Sequence, residues 1–346
     1  MGLASQRQDQ ITVIGDGLAG TVLALSLARR GASVRLIGSG DRTATALSYG
    51  AVAWGPSSWA WRRLERLHGP LGWHPSGLVF HDARPGLPRR LAALTRQIPI
   101  PLARIDIPTW MAARPRVLAA TGVHPLAQRV KALRPLTEGG WELDLEPEGP
   151  AHRVLVLRAP TVVLAAGAGC RHLWPSLPSR LCHTWAGVLL VGPDGPPNPW
   201  LEQARQGRIV QPRHWQRPAL EAGSARSSPD IQWIVDAGMA PWGEGVVVGQ
   251  ISALPGAQGA PDPQWMEERL RDGLRLLDPQ LAALPAPYQQ VPVSFCSDDQ
   301  PMAGPVEGAP GLWIFAGFSA AFSHVPTQAD RLAKRMVAEA GAARQG

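Results

Sequence analysis

At 346 residues, with 45% hydrophobic and 18% charged side chains, the chain can bury a sizeable core in one domain or two interleaved ones, which excludes a disordered protein. Its three cysteines, Cys170, Cys182 and Cys296, are widely spaced and form no CxxC pair, so neither a disulfide framework nor a metal site is expected. The formal charge of +7 rests on 34 basic residues of which only Lys131 and Lys334 are lysine. Arginine spread thinly, without a basic stripe or a run of like charges, gives no reason to expect a nucleic-acid partner.

The first apolar stretch, Ile11 to Ala28, is broken by Gly15, Asp16, Gly17 and Gly20 and has no basic region just before it. Neither a signal peptide nor a membrane span is expected, and a cytoplasmic location is. Ile11 to Ile14 reads as a short buried strand, Gly15-Asp-Gly-Leu-Ala-Gly20 as a glycine turn, Thr21 to Arg30 as an apolar helix, and Ala32 to Ile37 as a second strand. Gly15 permits the tight turn, Gly17 lets the backbone approach a pyrophosphate, and Gly20 lets helix pack on strand. The helix amino terminus that follows, at Leu18 and Ala19, has a dipole that favours phosphate. A purely structural glycine turn is the alternative reading.

A carboxylate usually stands about 20 residues past the glycines to accept the ribose hydroxyls. Here the second strand runs into Gly38-Ser39-Gly40-Asp41, where Ser39 or Asp41 is the available substitute. No arginine greets a 2′-phosphate at the strand end, so NADP is not favoured.

The middle of the chain is richer in strands and proline, with loops expected around Gly192 to Pro199, Arg217 to Pro229 and Leu254 to Pro263. His124 to Leu133, carrying Lys131, reads as a helix, and Trp141 to Leu145 and Val154 to Arg158 as a meander of strands. Ala159 to Leu164 is a buried strand ending in the small residues Ala165, Ala166 and Gly167. Gly311 to Ala316 is another, entering the turn Gly317-Phe318-Ser319 and, past Pro326, the helix Thr327 to Glu339. These strands and their small-residue turns resemble the later dinucleotide-contact motifs of two-dinucleotide-fold flavoproteins, which implies a flavin dinucleotide rather than a nicotinamide one.

Taken together, these segments resemble the D-amino-acid oxidase-like superfamily, in particular the branch of glycine oxidase and monomeric sarcosine oxidase. The resemblance adds Ser48-Tyr-Gly-Ala-Val-Ala-Trp-Gly-Pro56, where that family lays small residues against the flavin ring, Gly245-Val-Val-Val-Gly249, and Asp298-Asp-Gln-Pro-Met-Ala-Gly304. It implies an α/β fold: a two-dinucleotide-binding, Rossmann-like FAD domain (residues 1–75, 120–180 and 285–346) with an interleaved antiparallel-sheet substrate domain (76–119 and 181–284). It implies FAD contacts at Gly15, Gly17, Leu18, Ala19, Gly20, Ser39, Asp41, Ser48, Ala51, Val52, Ala166 and Gly167. Further contacts follow at Gly317, Phe318, Ser319, Ala320 and Ala321, and a small-molecule pocket walled by Tyr49, Trp54, Phe322 and Ser323, with His324 as a candidate catalytic group.

The departures concern the substrate. Gln290 to Cys296 lacks the arginine that commonly holds a carboxylate in the family, and Gly317-Phe-Ser-Ala-Ala-Phe-Ser323 is one residue shorter than the pattern GFSGHGFK and ends in serine where that pattern has lysine. Neither lysine of the chain is placed to assist oxygen, and the offset of Cys296 from Asp298 to Pro301 does not match a covalent flavin link. The expected activity is hydride transfer from a small amine or related substrate to flavin by a dehydrogenase or slow oxidase. The alternative is a flavin-binding or flavin-less relative with a partner or regulatory role.

Overall fold

The computed structural model describes residues 10–82, 86–146, 155–214, 216–224, 230–255 and 259–342. The elements of the first half are β1 (Gln10–Ile14), α1 (Leu18–Ala28), β2 (Ser33–Gly38), β3 (Ala51–Val52), α2 (Pro56–His68), β4 (Trp73–His81), α3 (Leu87–Gln97), β5 (Ile100–Ile105), α4 (Ile107–Thr121), β6 (His124–Ala127), β7 (Val130–Pro135), β8 (Trp141–Leu145), β9 (Leu155–Ala159) and β10 (Thr161–Leu164). They are followed by α5 (Cys170–Leu173), β11 (Leu181–Val191), α6 (Pro199–Arg205), β12 (Ile209–Pro212), α7 (Arg217–Gly223), β13 (Gln232–Trp242), β14 (Gly245–Leu254), α8 (Pro263–Leu277), α9 (Pro279–Ala282), β15 (Tyr288–Cys296), β16 (Met302–Pro305), β17 (Leu312–Ala316) and α10 (Ala321–Ala342).

These elements form two units, one of residues 1–42, 114–181 and 294–346 and the other of 43–113 and 182–293. The α/β class expected from the sequence is the one the chain adopts. In the first unit a six-stranded sheet runs β16-β17-β10-β1-β2-β6. From β17 to β6 neighbouring strands are parallel, and β16 joins antiparallel at the edge. Strands of a parallel sheet are covered on both faces and read as apolar runs, as β17 does with all five residues buried. On one side α10 packs on α1, with Asp330 accepting from Arg29 at 2.7 Å and Arg30 at 2.9 Å. On the other, a meander of β7, β8 and β9 contributes Leu133, Trp141, Leu143 and Leu145 to a core shared with Leu164, Leu312 and Ile314. The indole of Trp141 donates to Pro310 O at 3.0 Å, satisfying its buried N–H.

In the second unit an eight-stranded sheet runs β15-β11-β14-β13-β12-β4-β5-β3. It is antiparallel at β11, β14, β13 and β12 and again at β4, β5 and β3, with one parallel pair where β12 meets β4. Side chains alternate along β14: Val246 and Val248 pack with Leu201 of α6 and Met266, Leu270 and Leu274 of α8, while Val247 faces the other way with Leu47, Val188, Ile209, Ala240 and Val291. Register shifts at Gly187/Val188 and Val235/Gly238 mark bulges in this sheet.

Four local expectations change. Residues 43–75, expected with the dinucleotide unit, lie in the second unit, because β3 pairs with β5 and β4 lies between β5 and β12. His124 to Leu133 is not a helix: β6 extends the parallel sheet beside β2, and β7 pairs with β8. Arg217 opens the short helix α7 rather than a loop, while the rest of that expected loop from Ala225 to Pro229, part of the loop after Leu254, and Val154 lie outside the described residues. The last helix begins at Ala321, ahead of Pro326 rather than after it.

Candidate functional site

Three neighbouring parallel strands end in glycine turns. Gly15 follows β1 with φ +109, Gly317 follows β17 with φ +78, and Gly167 closes the turn after β10 with φ +55. All three lie in the left-handed region, where a side chain is strained. They stand at the carboxyl edge of β17-β10-β1, the edge at which open α/β sheets bind ligands.

The first turn is tightly built. Gly15 N–H donates to Ile37 O at 2.7 Å, and a Cβ on Gly15 would lie 2.3 Å from Ala165 O, so the first and second turns touch. The carbonyl of Asp16 accepts from Thr21 Oγ1 at 3.0 Å and from Arg114 Nη1 at 2.5 Å. Because a trans peptide holds its C=O and N–H in opposite directions, these two donors point Gly17 N–H away from Thr21 and Arg114. Gly17 is the N-cap of α1, no side chain caps it, and no acidic residue lies in the first turn. Such an end attracts an anion through its dipole. Of the other residues expected in this motif, Leu18 is buried and Ala19 half-buried at the start of α1.

In the second turn, Ala166 and Gly167 lead into a 3-10 turn and then α5, with Ser294 Oγ 3.8 Å from where a Gly167 Cβ would stand. Cys170 is fully buried there, and burial pushes its thiol up to about 12, which leaves it an inert core group. In the third turn, a Cβ on Gly317 would fall 2.4 Å from Cys296 Sγ, so that thiol packs directly beneath the turn. Phe318 meets Phe315 edge to face at 4.7 Å, and Ala320 carries φ +48 and accepts from Ser323 N–H at 2.9 Å. Ser319, Ala320 and Ala321 thus form the entry to α10; Phe322 and Ser323 are buried in its first turn, and His324 is exposed.

Ser39 and Asp41 lie past the end of β2 on the surface. Ser39 Oγ donates to Asp41 Oδ2 at 2.7 Å, and Arg129 pairs with the same carboxylate.

The second unit holds the remaining candidates. Ser48 Oγ accepts from Gly50 N–H at 3.2 Å, and Ala51 and Val52 form β3. Tyr49 donates to Gly249 O and packs on the apolar sheet face with Val188 and Val247. Burial raises its phenol well above the ordinary range, with Asp236 adding to the effect, so it stays protonated. Trp54 is exposed and lines an open groove of about 420 Å³ with Ser76 and Gly207.

Several polar groups of this unit carry no linear motif. Asp106 accepts from Thr109 N–H at 3.1 Å, Thr109 Oγ1 at 2.6 Å and Gly243 N–H at 3.0 Å. Burial alone would raise its carboxyl; those bonds and Arg104 hold it below the usual range. Arg104 pairs with Ala51 across β5 and β3 and keeps its buried Nε–H without an acceptor among the described residues. His81 bonds the Ala237 carbonyl, and burial pushes its imidazole down. Burial raises the neighbouring Asp236 carboxyl against N–H bonds from Gln216 at 2.9 Å and Arg217 at 3.1 Å. Among the described residues no cluster of His, Cys, Asp and Glu is arranged to hold a metal, and no helix is long and apolar enough to cross a membrane.

No protein-family model matches the sequence. A curated relative, the tRNA 5-methylaminomethyl-2-thiouridine biosynthesis bifunctional protein MnmC of Verminephrobacter eiseniae (strain EF01-2), is 29% identical over 384 aligned positions. The match covers 89% of this chain and 57% of that protein, so the chain spans little more than half the length of the curated relative it matches. Glycine oxidase from Geobacillus kaustophilus superposes with a TM-score of 0.65 at 15% identity, covering 94% of this chain and 95% of its own. Iminodiacetate oxidase from Chelativorans sp. BNC1 does so with a TM-score of 0.62 at 18% identity, covering 93% and 94%.

Proposed function

From the premise that the chain has the fold shared by the D-amino-acid oxidase-like flavoenzymes, we propose that it is an FAD-dependent oxidoreductase acting on a small amine. The observation that carries this reading is the row of glycine turns at Gly15, Gly167 and Gly317 along one edge of the parallel sheet. Gly15 and Gly20 pack too closely against Ala165 and Gly15 O to carry a side chain, which fixes the first turn, and the amino terminus of α1 at Gly17 has no side-chain cap and no acid in its first turn, so the residues present fit a dinucleotide. Gly17, Leu18, Ala19 and Gly20 would hold the pyrophosphate, and the turn from Gly317 to Ala321 is the contact of this unit that we assign to the ring.

FAD held there would supply the acceptor for a hydride from the C–H bond beside the amine nitrogen. The chain positions and dries. Within the second unit, Tyr49, fixed by Gly249 O, and the valines beside it form an apolar surface of the kind that suits a neutral amine. Neither β15 nor the first turn of α10 carries an arginine or lysine, so the reading favours an amine without a tightly held carboxylate. The neighbours' names supply amine and amino-acid substrates, and the curated relative's name supplies a methylaminomethyl group on a tRNA base. An amine is common to all of them.

The test is anaerobic titration of the FAD-loaded protein with primary and secondary amines, with and without a carboxylate, followed by visible absorbance. Bleaching by at least one amine is expected. A loaded protein that no amine or amino acid reduces would contradict the proposal.

A further inference from the structure

We propose that Asp16, inside the first glycine turn and paired with Arg114, is the carboxylate that accepts the adenosine ribose hydroxyls of the dinucleotide, in place of an acid at the end of β2. The inference rests on the FAD reading and adds a residue that the glycine motif itself does not assign.

β2 ends at Gly38, the position where a ribose-binding acid would stand in a βαβ nucleotide unit. Gly38 does not have the positive φ that demands glycine, so its backbone would accept another residue. The obstacle is Asp16. A Cβ on Gly38 would lie 2.2 Å from Asp16 Cγ and 2.4 and 2.6 Å from its two carboxylate oxygens. The Asp16 carboxyl therefore lies in the space from which a side chain at position 38 would start, and the two positions have exchanged roles: the acid has moved to the turn and the glycine to the strand end.

Arg114 of α4 makes this placement tenable. Its Nη2 lies 3.1 Å from Asp16 Oδ2 while its Nη1 holds the Asp16 carbonyl, so one guanidinium fixes both the carboxylate and the peptide that leads to Gly17. The cation also offsets the repulsion that a bare carboxylate would exert on a pyrophosphate bound at the same helix end. Asp16 Oδ1 has no hydrogen-bond partner among the described residues, and the side chain keeps 21% of its surface open, enough for hydroxyl donors to reach it. Asp41 is differently placed, with 53% exposure and its carboxylate already engaged by Ser39 and Arg129.

The test measures FAD affinity on the whole 346-residue chain stripped of flavin, by flavin fluorescence, for the wild type, Asp16→Asn, Asp16→Gly, Gly38→Ala, and Asp16→Gly with Gly38→Glu, each checked for folding by circular dichroism. Asp16→Asn is expected to weaken FAD by about ten- to a hundredfold, the range for hydrogen bonds to a charged group. The same variant should no longer distinguish FAD from its 2′-deoxyadenosine counterpart. Gly38→Ala, which pushes the carboxyl aside without removing it, should weaken FAD as well, and the double variant should regain what Asp16→Gly loses by returning the acid to the strand end. Unchanged FAD affinity in folded Asp16→Asn and Gly38→Ala would overturn the inference and leave the FAD reading standing. A wild-type protein that takes up no FAD would overturn both.

Discussion

A Cβ built on Gly20 falls 1.8 Å from the carbonyl oxygen of Gly15, so α1 is pressed against the turn that precedes it with no room for a side chain. Gly17, two residues from Gly15, has φ −67 and ψ −170, a conformation open to any residue. The two glycines therefore serve different ends, packing at Gly20 and access for a ligand at Gly17.

Substitution should separate them. Gly20→Ala is expected to destabilise the fold by about 1–3 kcal/mol through overpacking, read as a lower urea midpoint. Gly17→Val should fold with wild-type stability yet take up no FAD, because its branched side chain stands where the pyrophosphate approaches the backbone. A folded Gly17→Val protein that retains flavin would remove the first turn from the site.

The same distinction shows how much the sequence disclosed. The βαβ unit is local, so its glycine spacing and apolar strands were legible at β1, α1 and β2 without tertiary knowledge. His124 to Leu133 misled because Leu126, Val130 and Leu133 recur at helical spacing, whereas pairing with β2 and β8 decides the outcome. The place of residues 43–75 beside β5 and β12 is not legible in the sequence, because the two-residue β3 is too short to announce its partner. Asp16 could be read as part of the motif but not as a neighbour of Gly38 or Arg114, since those meetings depend on the sheet closing across 22 and 98 residues.

Asp106 stands just before α4 and accepts the N–H of its third residue, the N-cap arrangement. Asp106→Ala should cost about 1–2 kcal/mol by losing this cap and should strand Gly243 N–H as well. Its carboxyl lies below its unfolded value of about 3.9, so its contribution is complete above that pH and is lost as pH falls through the folded value. Denaturation of wild type and variant should therefore converge in acid; a constant gap down to the lowest pH would contradict this role.

His81 gives a second pH signature nearer neutrality. Burial lowers its folded pKa, so the unfolded chain takes up the proton first and stability falls as pH drops below about 6.5, the unfolded value. His81→Gln should flatten that slope between neutral and mildly acidic pH. Asp236, whose folded pKa is raised, acts with the opposite sign at lower pH: its contribution is present below its unfolded value and lost as pH rises through the folded one. An unchanged slope in His81→Gln would show that the imidazole titrates alike in both states.

Trp141 joins the meander to the parallel sheet's core with 1% of its surface exposed. Trp141→Ala should cost about 3–5 kcal/mol, and Trp141→Phe about 1–2 kcal/mol through the unmet Pro310 carbonyl. Equal, small losses for both would mean that the core closes without it.

The most direct measurement is the flavin content of the purified chain. Protein loaded with FAD, gel-filtered and then denatured should release one FAD per chain, identified by its spectrum and by a rise in fluorescence on cleavage to FMN. A folded chain that retains no FAD after loading would contradict the account at its base.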